Sequence, residues 1–122
     1  MQSSDVFLDM SSYQAFGRTA LEAMACGCTA VVPRRGGVWE FAEDGDNALV
    51  VDTMDLDATF HALARLVHDR DRLASLQEAA RETAARYSVL RAAISEYVIL
   101  RHTYDQRFTG VSAVPAARSS VV

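Results

Sequence analysis

The feature that most constrains the fold is a short apolar segment, a helical segment and a second apolar segment in close succession. Residues 6–8 are apolar between polar neighbours, which predicts a buried strand end. Residues 17–25 carry apolar side chains at helical spacing, and Gly27 follows where a helix would end. Residues 29–32 form the second apolar segment. A strand, a helix and a strand predict a crossover, which implies a parallel pair. The helical stripe consists of Ala20, Leu21, Met24 and Ala25.

The same alternation continues in a shorter form. Residues 34–37 predict a cationic loop, and residues 38–42 a short helix ended by turn formers at 43–47. Residues 48–51 predict a third strand. We therefore expect an α/β fold: a partial Rossmann-like parallel sheet of about three strands with C-terminal helices. Its loops leave the carboxyl ends of the strands, the edge at which open α/β sheets bind ligands.

Three amphipathic helices are predicted after residue 52. Asp55, either Asp69 or Asp71, and Ser88 are suitable N-cap residues for them. We expect one face of each helix to point inward. These faces comprise Leu56, Phe60, Leu63, Ala64 and Val67, then Leu73, Leu76, Ala80, Ala84 and Tyr87, then Leu90, Ile94, Tyr97 and Val98.

Length and charge exclude several classes of function. With 122 residues the chain is one domain or less, which we expect at 1–106, with a disordered tail at 107–122. The net charge of −4 is spread along the chain, which argues against a nucleic-acid surface.

No signal pattern or membrane-spanning apolar run is found. The expected location is cytoplasmic, with peripheral association at the inner membrane face as an alternative.

Cysteine and histidine spacing predicts neither a metal site nor a redox pair. Cys26 and Cys28 are separated by one residue, so we interpret both as buried at a helix–strand junction. His61 and His68 lie two helical turns apart, about 10 Å along the axis, which is too far to share an ion. We expect Trp39 to pack the short helix rather than to stack on a base.

The strongest candidate site is the start of the first helix. Free N–H groups at a helix start attract anions, and Gly17 has no Cβ to keep a phosphate from the backbone. Glu22 lies one turn further on the face of Arg18, where it could accept hydrogen bonds from a ribose. The alternative is that Glu22, Arg18, Arg34 and Arg35 are ordinary surface charges.

Several segments in register resemble group 1 glycosyltransferases, which are retaining enzymes of the GT-B fold, family 4, that use nucleotide-sugar donors. The resemblance runs from about residue 3 to about residue 104 and lies in the second half of the family's donor-binding domain. The matching segments are Ser4 to Leu8, Gln14 to Gly27, Val31-Val32, Gly36-Gly37 with Glu40, and Gly45-x-Asn47 with the four residues that follow.

The resemblance implies a role for each matching residue. The family's two-glutamate motif maps onto Gln14 and Glu22, so Gln14 takes the catalytic position and Glu22 would hold the ribose hydroxyls. The glutamine cannot carry a charge or attack a sugar carbon, and we interpret it as a positioning group. No cofactor is implied, because the nucleotide-diphosphate sugar is a donor substrate. The implied donor-binding residues are Phe16, Gly17, Arg18, Thr19, Glu22, Gly36 and Gly37.

The resemblance also implies missing parts, since the acceptor-binding domain and the early strands of the donor domain have no counterpart. We therefore expect a truncated or split reading frame that does not turn over substrate alone. The leading hypothesis is a glycosyltransferase fragment that binds a nucleotide sugar. The first alternative is a non-catalytic module that pairs with a separate chain carrying the missing domain. A second is a vestigial product without a stable fold.

Overall fold

The computed structural model describes residues 4–108, which divide into two compact units at the boundary between Ala85 and Arg86. In the first unit, β1 (Val6–Leu8) leads to α1 (Arg18–Ala25) and β2 (Thr29–Pro33). A 3-10 turn at Gly37–Glu40 precedes β3 (Ala48–Val51), and α2 (Leu56–His68) and α3 (Arg70–Arg86) follow. The second unit contains α4 (Val89–Phe108).

The sheet is parallel, in the order β1-β2-β3, as the two predicted crossovers require. Val6 aligns with Thr29, and Ala30 aligns with Ala48. All five residues of β2 are buried, which is expected of the central strand of a parallel sheet covered on both faces. The predicted α/β class and the three-stranded parallel sheet are confirmed.

Two apolar clusters lie on opposite faces of the sheet because side chains alternate along each strand. Val32 of β2 contributes to the cluster that contains α1 and the end of α3. Val31 contributes to the cluster formed with α2 and the start of α3. On α1 the stripe differs by one position from the prediction: Ala23 is buried, whereas Ala25 is exposed.

The outward face of α2 is a correction to the sequence interpretation. Its core side consists of Thr59, Ala62 and Leu66, while Phe60 is 66% exposed. Burial of Thr59 is tolerated because its hydroxyl donates to the Asp55 carbonyl at 2.9 Å, so no hydrogen bond is lost. The helix therefore has a second apolar face that points to solvent. Its exposed large residues are Leu56, Phe60 and Val67.

The predicted helix caps are present. The Asp55 side chain accepts from the Ala58 amide at 2.9 Å, and Asp69 accepts from the Arg72 amide at 2.9 Å. In the second unit the Ser88 hydroxyl accepts from the Arg91 amide at 3.2 Å. Each side chain satisfies an amide that the first turn of its helix leaves without a partner.

Two further predictions concern α4 and the tail. Ile94 and Tyr97 are exposed, so the expected inward face of this helix is wrong at those positions. Arg107 and Phe108 are the last residues of α4, and the rest of the predicted tail lies outside the described residues. None of the helices within residues 4–108 has the length and apolarity needed to cross a bilayer.

The two cysteines have different surroundings. Cys28 is buried and its Sγ donates to the Ser4 carbonyl at 3.1 Å, whereas Cys26 is exposed, contrary to the prediction. Burial raises the pKa of the Cys28 thiol, mainly because desolvation disfavours the thiolate. Cys28 is therefore a protonated packing residue rather than a nucleophile.

Candidate functional site

The loops that follow β1, β2 and β3 meet at the carboxyl edge of the sheet, where hydrogen bonds and an ion pair connect them. The Thr53 hydroxyl donates to the Ser11 carbonyl at 2.8 Å, linking the third loop to the first. The Arg34 guanidinium lies 3.7 Å from the Asp52 carboxylate, linking the second loop to the third. Asp52 and Thr53 were not among the predicted site residues. The signal in the sequence that could have identified them is their position directly after a predicted strand.

The Gln14 backbone pairs with the glycine loop as an isolated parallel bridge to Gly36. The Gln14 amide donates to the Arg35 carbonyl at 3.1 Å, and its own carbonyl accepts from the Gly37 amide at 2.8 Å. The half-buried Gln14 is thereby brought beside two of the predicted donor-binding glycines. The two loops form one layer at the sheet edge.

Both glycines are required by this close approach. A Cβ at Gly36, where φ is +115°, would lie 1.8 Å from the Gln14 carbonyl oxygen. A Cβ at Gly37 would lie 2.0 Å from the carbonyl oxygen of Ala15. Real Cβ atoms do not approach backbone this closely, so only glycine permits the pairing. The Gly36-Gly37 segment thus has a structural function that needs no ligand.

Gly17 sets the start of α1 by a left-handed turn at φ +92°, a conformation that glycine adopts without penalty. Its missing Cβ also leaves room for Phe41 and Val38, which would lie 3.1 and 3.2 Å away. Phe16 packs edge-on against Phe41, with ring centroids 5.7 Å apart. The buried Phe41 therefore fixes the position of this helix start.

The first turn of α1 presents hydrogen-bond donors to this edge. The Leu21 amide donates to the Gly17 carbonyl at 3.1 Å, which leaves the amides of Arg18 and Thr19 without an intrahelical acceptor. No side chain caps this helix start, and its first turn holds no acidic residue. Such a terminus carries partial positive charge and suits an anion.

Glu22 lies one turn deeper on the same face, with its side chain 54% exposed. Its carboxylate accepts from the Arg18 guanidinium at 3.2 Å, and Arg18 is 82% exposed. An exposed pair of this kind contributes only about 0–1 kcal/mol, so either member can exchange its partner for a ligand. The predicted ribose acceptor is thus accessible.

The remaining predicted residues lie around this centre. Arg34 and Arg35 are exposed on the loop after β2. Trp39, which was expected to pack the short helix, is 58% exposed, and its indole N–H donates to the Arg34 carbonyl at 2.7 Å. Val38 fills the core position beside it. Across residues 4–108, no group of three or more His, Cys, Asp or Glu side chains is placed to hold a metal ion.

Residues 1–83 match the sequence family described as "Glycosyl transferases group 1". The D-inositol 3-phosphate glycosyltransferase of Corynebacterium urealyticum is 39% identical over 87 residues, covering 71% of this chain and 20% of that protein. The chain therefore spans about a fifth of the length of this curated relative.

Two solved structures have a similar fold. The sucrose-phosphate synthase of Thermosynechococcus elongatus superposes with a TM-score of 0.78 at 26% identity, over 84% of this chain and 26% of that one. Anabaena Alr3699/HepE, solved in complex with UDP, gives a TM-score of 0.72 at 25% identity, over 80% of this chain and 28% of that one.

Proposed function

Because the chain belongs to the group 1 glycosyltransferases, with a sheet and helices that match its GT-B relatives, we propose that it binds a nucleotide-diphosphate sugar. In this proposal residues 1–106 are part of a donor-binding domain, and the reaction it serves is retaining, family 4 transfer of a hexose-like sugar. The acceptor is a glycan, a lipid or a small molecule. The proposed location is cytoplasmic.

The observation that carries the proposal is the start of α1. The amides of Arg18 and Thr19 would donate to the donor diphosphate, and the left-handed turn at Gly17 sets the helix start that presents them. Glu22 would accept hydrogen bonds from both ribose hydroxyls instead of from Arg18. The Arg18 guanidinium would then be free to face the phosphate. The UDP complex of Anabaena HepE supports a uridine diphosphate as the first nucleotide to test.

In the same proposal Gln14 and the paired glycine loop form the wall beside the sugar. The Gln14 backbone is hydrogen-bonded to the backbone of Arg35 and Gly37, so the Gln14 side chain extends from a fixed point of the loop. An amide can donate and accept hydrogen bonds with sugar hydroxyls but cannot act as a base. We assign Gln14 to orienting the sugar. Chemistry would further require an acceptor and a water-poor cleft between two domains.

Thermal unfolding of the purified chain tests donor binding. A ligand that binds only the folded state stabilises it by RT ln(1 + [L]/Kd), so 100-fold excess over Kd gives about 2.7 kcal/mol. We expect UDP or GDP at that excess to raise the melting temperature by about 10 °C, and the free nucleoside to raise it much less. No increase with either diphosphate would contradict the proposal.

A second candidate function, pairing with a separate polypeptide chain, is favoured by the difference between the two sheet edges. On the outer edge of β3, the Gly45 amide donates to the Ala48 carbonyl and the Asp44 carboxylate accepts from the Val50 amide. Along β1, successive residues direct their N–H and C=O groups to opposite sides of the strand. The N–H and C=O groups of Val6 and Leu8 therefore point away from β2. Among the described residues none is hydrogen-bonded to them.

An edge left open in this way accepts another strand. If pairing is the function, the isolated chain shows little secondary structure by circular dichroism and gains it when a polypeptide carrying the rest of a donor-binding domain is added. A folded isolated chain that binds UDP without such a partner would contradict this candidate.

A further inference from the structure

The exposed apolar side chains of the first unit gather at the carboxyl edge of the sheet. Between residues 4 and 85, nine large apolar side chains are exposed, and seven of them lie at the carboxyl end of a strand or in the segment that follows one. The other two, Phe60 and Val67, lie further along α2. The edge that carries the proposed donor site is therefore also the apolar edge of this unit.

Four of these side chains, which we call the loop patch, come from the segments after all three strands. The Thr53 hydroxyl donates to the Ser11 carbonyl at 2.8 Å. Met54 directly follows the donor in the chain and Met10 directly precedes the acceptor, so the two methionines lie on either side of one contact between loops. The loop patch consists of Met10, Trp39, Met54 and Leu56, with exposed fractions of 42%, 58%, 73% and 67%.

Trp39 joins the loop patch from the second loop. Its indole N–H donates to the Arg34 carbonyl at 2.7 Å, which restrains the ring at the surface. The guanidinium of the same arginine lies 3.7 Å from the Asp52 carboxylate, two positions before Met54. One residue thus connects the tryptophan to the third loop. Exposed apolar groups gathered in this way mark a surface that another molecule covers.

The loop patch continues from the residues proposed to lie beside the sugar. Met10 is four positions before Gln14 in the first loop, and Trp39 is two positions after Gly37 in the second. The side chains of methionine and leucine offer at most a weak acceptor to sugar hydroxyls, whereas they pack readily against hydrocarbon. Of the proposed acceptor classes, this surface therefore suits a lipid better than a glycan.

The charges of the same loops disfavour a bilayer surface as the occupant. Residues 9–19, 34–40 and 52–57 together carry three arginines and five carboxylates. Anionic membrane surfaces attract clusters of basic residues, which this edge does not present. An individual amphiphile with an uncharged head group meets no such repulsion.

We propose that the loop patch binds the hydrocarbon chain of an amphiphilic acceptor with an uncharged, hydroxyl-bearing head group. The head group lies toward Gln14, where the sugar of the donor would be held. This inference rests on the proposed function, because it names the acceptor class of the same site.

Fluorescence of Trp39, the only tryptophan of the chain, tests the proposal with octyl glucoside as the probe, below its micelle concentration. We expect the emission to move to shorter wavelength as the alkyl chain covers the ring, and the change to saturate with a dissociation constant on the order of 1 mM. Methyl glucoside, which has the same head group without the chain, should produce no saturable change.

Two exposed aliphatic residues on α2 provide a matched pair of variants. Leu56→Ser should weaken binding of octyl glucoside about fivefold, because Leu56 belongs to the loop patch. Val67→Ser should leave it unchanged, since Val67 has a similar exposed fraction, 64%, but lies at the other end of the helix. Circular dichroism of both variants checks that the fold is retained.

Separate titration of UDP distinguishes this proposal from the proposed function. A chain that binds UDP but shows no saturable response to octyl glucoside would overturn the acceptor assignment alone. Equal responses to octyl and methyl glucoside, or equal losses in Leu56→Ser and Val67→Ser, would also overturn it. A response to octyl glucoside without UDP binding would contradict both proposals, since the loop patch would then not belong to a donor site.

Discussion

Replacing Gly36 with alanine should lower the free energy of unfolding by about 3 kcal/mol, because the added methyl group would meet backbone rather than a movable side chain. Its Cβ would lie 1.8 Å from the Gln14 oxygen and 2.7 Å from the Gln14 carbonyl carbon. The same oxygen accepts from the Gly37 amide, so the carbonyl cannot move aside without losing that hydrogen bond. Its φ of +115° with ψ of −159° lies in a region open essentially to glycine alone, which adds about 1–3 kcal/mol of strain for an alanine.

Gly45→Ala is the matched control for this variant. Gly45 also has a positive φ, +77°, but the nearest atom to its Cβ would be the end of the Arg72 side chain at 3.3 Å. That guanidinium can shift, so we expect only the strain of about 1–2 kcal/mol. Urea unfolding of both variants gives the comparison. Equal losses in the two would show that the loops after β1 and β2 are not tightly paired.

Much of the fold could be predicted from the sequence because its signals are local. The strand segments, the glycine that starts α1 and the N-caps Asp55 and Asp69 each depend on a few neighbouring residues, and the structure contains all of them. Two short crossovers between apolar segments leave a parallel sheet as the simplest topology.

The faces of the helices were harder to predict, and the error on α2 shows why. This helix carries two apolar stripes, and periodicity alone does not say which one meets the sheet. The larger residues, such as Phe60, favoured the wrong stripe, whereas the core accepts Thr59 and Ala62. Burial of a threonine depends on a hydrogen bond within the helix that only the folded backbone reveals.

The candidate site was predictable as a set of residues but not as a structure. The sequence suggested Gln14 and the glycines as neighbours of the donor, and the structure brings their loops together. That pairing depends on backbone contacts between residues far apart in the chain, which spacing does not encode. It also gives Gly36 and Gly37 a packing role, so their presence is not by itself evidence of a ligand.

The second large effect concerns the affinity of the chain for UDP. Glu22→Gln should weaken binding about 10- to 100-fold, because a carboxylate accepts from two ribose hydroxyls whereas the amide offers one acceptor and a mismatched donor. Hydrogen bonds to a charged group contribute about 1.5–3 kcal/mol each. The affinity for inorganic pyrophosphate should change little, since the amides at the start of α1 would bind the phosphates.

Glu78→Gln provides a close control for this substitution. Glu78 is 68% exposed and pairs with Arg81 at 3.1 Å, much as Glu22 pairs with Arg18 at 3.2 Å. The chemical change and the loss of a surface ion pair are the same in both variants. Glu78 lies on α3, so its substitution should leave the affinity for UDP within about twofold of the wild-type value.

Isothermal titration calorimetry of UDP into the wild-type chain, Glu22→Gln and Glu78→Gln tests the central claim most directly. We predict saturable binding at one site, lost or much weakened only in Glu22→Gln. The absence of binding to the wild-type chain, or equal affinities in the two variants, would contradict the assignment of the nucleotide to the start of α1.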